Sequence, residues 1–163
     1  MRSLRFSRPT IGSAAMAATA ILFTSALTLP TYAAAFDEST STPELISQLE
    51  QRATQAKPRE QCFLYTELVH AMTEQAGRQI AAGDTEAAAA TLKQVNRYAH
   101  LIEVSLSNDT RRLKNAEELM HHTTYRLAEY IHLVSDEDRE SAQATLKQLD
   151  RVNDQMLSQV FNH

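Results

Sequence analysis

Residues 101–114 read LIEVSLSNDTRRLK, and the middle of that stretch decides the fold. Ser107, Asn108, Asp109 and Thr110 carry short polar side chains that compete for backbone hydrogen bonds. Such residues favour caps and turns over helix interiors. Read as a turn, they divide the chain into four long helices in two hairpins, the second and third packing antiparallel. Read straight through, they leave one helix, since the heptad phase crosses them with a single defect at Asp109. So long a helix is uncommon. The expected fold is therefore all-α: an antiparallel helical bundle of four long helices (two hairpins) plus a short N-terminal helix. The alternative is one long continuous helix about 84–134 with flanking antiparallel helices.

Helix signals on either side agree. Ser41 and Glu44 form a capping box around Pro43, which suits a first helical turn, so a short helix is expected over 43–56. Pro58 interrupts it, and no proline follows. Cys62, Tyr65, Val69, Met72, Ala76 and Ile80 then recur at intervals of three and four, which is one helix face. Gly83 supplies a left-handed stop and Asp84 the next cap. The stripe resumes from Ala88, Leu92 and Val95, and again from Ala116, Met120 and Leu127. Ser135, followed by three acids, opens a last helix carrying Ala142, Leu146, Leu149, Val152, Met156, Leu157 and Val160. Leu64 and Leu68 broaden the first long face, while Leu101 and Val104 point outward from the second. They imply a second packing surface: the N-terminal helix, a partner, or a dimer.

A weak repeat runs through the chain. ATLKQVNR at 90–97 matches ATLKQLDR at 144–151, an offset of 54 residues. Asp84, Glu86 and Ala88 match Asp138, Glu140 and Ala142 at the same offset, but the first helix of each hairpin shows no matching identities. Helical sequences draw on a narrow alphabet, so duplication and coincidence both account for this.

The N-terminus reads as an export signal. Arg2, Arg5 and Arg8 precede the apolar run IGSAAMAATAILFTSALTL at 11–29, and Pro30 and the alanines 33–35 follow. The expected division is a cleaved signal peptide over 1–35, a disordered lead-in over 36–42 and a single helical domain over 43–163. Cleavage removes three of the 16 basic residues and none of the 20 acidic ones, leaving a net charge of −7. The expected location is the periplasm or the exterior, with no membrane attachment after cleavage.

Composition excludes several functions. The whole chain has a formal charge of −4 and no basic cluster, which argues against nucleic acid. One cysteine excludes a disulfide framework, a Cys-rich metal site and covalent haem attachment. Three glycines are too few for a Rossmann fingerprint, a P-loop or a nucleophile elbow. Cys62 lies on an apolar stripe, where a thiol is ordinarily core packing. No cofactor and no small-molecule substrate is identifiable.

Glu67/His70, Glu118/His121 and Glu129/His132 share the Glu-x-x-His spacing of di-iron helical bundles. Ligands of a core metal must point inward. At 100° per residue Glu67 lies about 180° and His70 about 120° from the apolar centre, and Glu118 and His121 lie similarly outward. The third long helix instead gathers Glu118, His121, Glu129 and His132 on its outer face, with Tyr125 among them and His122 adjacent. Those four are the candidate ligands of a surface zinc or copper ion, or sensors of pH. The plainer reading is a solvated face with weak pairs.

The expected function is non-enzymatic: an exported helical protein acting through protein–protein contact or self-association. The rival is a periplasmic metal- or pH-responsive binding protein using the His/Glu face; an enzyme or cytochrome ranks last. Protein recovered from cells is expected to start at Ala34 or Phe36. Intact mass decides this, and a full-length chain held in the membrane fraction would refute the export reading.

Overall fold

The computed structural model describes residues 43–108 and 110–162; the expected signal peptide and lead-in lie outside the described residues. Among the described residues there are five helices and no strand: α1 Pro43–Gln55, α2 Pro58–Ala81, α3 Thr85–Ser105, α4 Leu113–Ile131 and α5 Asp136–Asn162. The four long ones form the expected bundle of two hairpins, and no helix spans 84–134.

Each boundary has a local cause. Pro58 occupies the first turn of α2. Gly83 adopts φ 76°, which a side chain would oppose, and closes α2. The Asp84 carboxylate accepts the Ala87 N–H at 3.2 Å and caps α3. Ser135 Oγ accepts the Asp138 N–H at the start of α5. At the end of α3, the hydroxyls of Ser105 and Ser107 donate to Ile102 O and Val104 O. Thr110 Oγ1 donates to Asn108 O at 2.8 Å. Short polar side chains thus bond to backbone carbonyls in the last turn of α3 and just after it.

One expectation fails in detail. α2 packs on α3 and α4, α5 packs on the same two, and α3 and α4 do not touch along their lengths. Within the bundle α3 and α4 are therefore diagonal. Arg111 and Arg112, just before α4, make this so by lying against the start of α2. The Arg111 N–H donates to Arg59 O at 2.8 Å, and the Arg112 guanidinium lies over the Phe63 ring, 3.4 Å from its centroid. Arg112 holds a left-handed φ of 59° to make that turn.

The two hairpins consequently stack side by side, in step. His70 meets Thr123 across 53 residues and Glu74 meets Arg126 across 52, so α2 and α4 run parallel. Gln159 Nε2 donates to Leu106 O across 53 residues, so α3 and α5 do the same. Burial repeats at the 54-residue offset even where identities do not. Cys62, Tyr65, Val69, Thr73 and Ile80 are buried, and so are Ala116, Leu119, Thr123, Leu127 and Val134.

α1 packs on α2 and buries Leu49 and Ala53. Its Glu50 accepts a hydrogen bond from the Tyr98 hydroxyl of α3, which also accepts from Arg97 Nη2 at 2.7 Å. Leu68 is wholly buried although it lies off the main stripe. The surplus apolar surface of the first long helix thus has an occupant inside the chain. Leu101 and Val104 remain exposed as expected.

The last helix is turned from its expected phase. Leu92 is buried, but its counterpart Leu146 is only partly so and Leu157 is exposed, while Thr145 and Gln148 are buried. Ala142, Leu149, Val152 and Met156 are buried as expected, so the inward face of α5 is displaced toward Thr145 and Gln148 and not replaced. Leu92→Ala is expected to cost about 2–5 kcal/mol, and Leu146→Ala less than about 2 kcal/mol. Urea denaturation of both variants measures this; equal losses would show that the face assignment of α5 is wrong.

Candidate functional site

The seam between α2 and α4 carries the densest polar network of the bundle. Arg126 on α4 grips Glu74 on α2 with two bonds, Nε to Oε1 at 2.9 Å and Nη2 to Oε2 at 3.2 Å. The Tyr130 hydroxyl donates to Glu74 Oε2 at 2.6 Å and also takes a short hydrogen bond from Arg126. Arg126 Nη1 reaches Glu129 at 3.0 Å. Burial opposes charge on Glu74, but the Arg126 and Tyr130 bonds outweigh it and hold the carboxyl below its usual range. Burial and the neighbouring carboxylate push Tyr130 up to about 12. A half-buried, doubly bonded guanidinium–carboxylate pair has the geometry of a fixed clamp, not of a proton carrier.

Gly77 sits under this clamp. A Cβ placed there would fall on Cε2 and Cζ of the Tyr130 ring. The ring cannot swing away without breaking its bond to Glu74.

One turn earlier on α2, His70 Nδ1 lies 3.0 Å from Thr123 Oγ1, and its ring centroid is 5.5 Å from that of His122. Glu67 lies a further turn back. The expectation that Glu67 and His70 face outward is overturned: both are half-buried, because α2 has α1, α3 and α4 packed around it. Desolvation raises the Glu67 pKa against the pull of Arg52 and Arg112. Among the described residues its Oε2 is enclosed without a hydrogen-bond partner.

Glu118, His121, Glu129 and His132 all lie exposed on α4 or at its C-terminal cap, as the stripe argument requires. They form two separate pairs: Glu118 to His132 spans about 21 Å of helix. Glu118 engages Lys114 at 3.8 Å, and Glu129 engages Arg126 and Tyr125. Among the described residues no three His, Cys, Asp or Glu side chains are grouped to hold a metal ion. Cys62 is buried, and burial pushes its thiol up to about 11. Met72 and Met156 are core residues.

A cavity of about 220 Å³ opens between the hairpin tips, lined by Ile80, Ala88, Leu92, Leu133, Val134 and Asp138 among others. Its lining is mostly apolar, and its carboxylate, Asp138, accepts the Ser135 hydroxyl at 2.9 Å.

Sequence reasoning found the outer face of α4 but missed the seam. Its residues lie about 53 positions apart, and only the 54-residue repeat, read as two hairpins stacked in step, could have paired them. Gly→Ala in a helix interior ordinarily stabilises by about 1 kcal/mol. Gly77→Ala is expected to reverse that sign and cost about 1–3 kcal/mol, because it overpacks a pinned ring. Thermal melts of this variant and of Gly77→Ala with Tyr130→Phe measure it; a stabilised single variant would refute the contact.

Comparison with protein-family models, with characterised protein sequences and with solved structures finds no match to this chain.

Proposed function

We propose that the chain is an exported, non-enzymatic helical protein that acts by binding another protein or a second copy of itself. The observation that carries this is the stacked pair of hairpins, closed on one side by α1 and presenting large apolar side chains elsewhere. Phe161 is 80% exposed, Leu133 64% and Tyr125 60%, and Leu157 lies one turn before Phe161. Stacked helical hairpins present extended surfaces to macromolecules, and exposed apolar side chains grouped together mark contact sites. The polar groups also support the reading, since Glu74, Arg126, Tyr130 and Asp138 are engaged in holding helices and caps. The basic, then apolar, then small-residue N-terminus supports export. Among the described residues no helix is long and apolar enough to cross a membrane.

The test is a photo-crosslinking amino acid placed at Phe161 in cells, compared with one at the exposed polar position Lys93 on α3. A discrete adduct from Phe161 and none from Lys93 is the expected result. Sedimentation velocity then tells a homo-oligomer from a foreign partner. A monomer with no adduct from Phe161, Leu133 or Tyr125 would defeat the proposal.

A further inference from the structure

We infer that the face of α5 bearing Leu146, Leu157 and Phe161 pairs with the same face of a second copy of this chain, the two helices running antiparallel about a two-fold axis. The inference rests on the docking reading above and narrows it to one occupant.

The repeat locates the face. Where α5 lies along α3, the clefts between them are lined on α3 by Leu92 toward one end and by Glu103, Leu106 and Ser107 toward the other. At the 54-residue offset these positions become Leu146, Leu157, Val160 and Phe161 on α5. Leu92 and Leu106 are buried, whereas Leu146 and Val160 are only partly so, and Leu157 and Phe161 are exposed. The uncovered face is therefore the more apolar of the two. Where α3 carries Glu103 and Ser107, α5 carries Leu157 and Phe161. A stack of hairpins that ends in water carries a polar outer face on its last unit. This one gains two large apolar side chains there, which is the mark of a covered surface.

The other end of the stack decides the occupant. α1 packs on α2 and on neither α4 nor α5, and its Glu50 reaches Tyr98 of α3. The first hairpin is thus already covered on the side away from the second. Head-to-tail growth would need that side open. A stack closed at one end and open at the other meets its own copy only open end to open end, an isologous contact that stops at two.

Charge sets the direction. Lys147, Asp150, Arg151 and Asp154 lie along one flank of the Leu146–Leu157 face at 100° per residue, and a two-fold axis brings like flanks together. Parallel pairing would lay each charge against its own kind. Antiparallel pairing with Leu146 opposite Leu157 of the second copy sets Asp150 opposite Asn153. It also brings Lys147 beside Asp154 and Arg151 beside Asp150, each about 3 Å along the axis from direct opposition. Within one chain Asp150 and Asp154 stand a turn apart, and partial desolvation together with the Asp154 charge raises the Asp150 pKa. The second copy's Arg151 and Lys147 relieve that repulsion.

The test is sedimentation equilibrium of the protein recovered from cells over a concentration series, with circular dichroism to show that each variant is folded. The parent is expected to be a dimer. Phe161→Ser, at a position 80% exposed in the single chain, should weaken dimerisation at least about ten-fold. Lys147→Asp should weaken it about ten-fold, because the two-fold axis counts each repulsion twice. Adding Asp154→Lys to the same chain should restore it to within about three-fold of the parent, since the pair is re-formed with its signs exchanged. Lys93→Asp, the same change at the repeat-equivalent exposed position on α3, should leave it unchanged. Three results would each overturn the inference: a monomer or an assembly larger than two, Lys147→Asp dimerising as the parent does, or a double variant no tighter than Lys147→Asp alone. A monomer that still yields a discrete foreign adduct from Phe161 overturns this inference and leaves the docking reading standing. A monomer with no adduct from Phe161, Leu133 or Tyr125 overturns both.

Discussion

Two hairpins lie in step only if α2 and α4 come close while running parallel, and Gly77 permits that approach. Parallel neighbours gain nothing from their helix dipoles, which oppose each other side by side. Something specific must hold them. Here the Tyr130 ring lies against Gly77, and its hydroxyl and the Arg126 guanidinium close on Glu74. The three groups fix one another. The ion pair and the hydroxyl bond keep the ring down, and the missing Cβ leaves room for it.

That lock gives α2 an unusual place. It has α3 as its hairpin partner, α4 beside it through the clamp, and α1 along another side. A helix so enclosed cannot remain a simple amphipathic one, and α2 indeed buries Thr66, Thr73 and Gly77 along with its apolar residues. The buried Thr66 hydroxyl is satisfied locally by the carbonyl of Cys62, four residues back, at 2.9 Å. Local bonding of this kind lets a threonine sit inside a bundle without a partner on another helix.

The limits of the helices were legible because their causes are local: Pro58, Gly83 with Asp84, Ser135, Ser107 and Thr110 each act on peptide groups within a few residues. The enclosure of Leu68 was half legible, as surplus apolar surface whose occupant could not be named. What was not legible is which helix stands beside which. Periodicity fixes the direction a residue faces on its own helix but not the neighbour it meets, so Glu67 and His70, opposite the apolar stripe, read as solvent-facing. The outer face of α4 was correctly placed because that side has no neighbour, so the local stripe alone determines it.

The repeat connects these points. Had the 54-residue offset been taken as two hairpins laid side by side, each residue of α2 would have been expected near the residue about 53 positions on. Glu74 would then have been set against Arg126, and His70 against His122 and Thr123. Polar side chains that meet this way are neither in the core nor fully in water. At the core they would lose more by desolvation than they regain, and on an open face solvent would screen them to little effect. At a half-buried seam between parallel helices a guanidinium can clamp a carboxylate, and an imidazole can bond a threonine hydroxyl on the facing helix. The interior stripes are committed to packing, so the seam is the part of the bundle whose chemistry is specific to this chain.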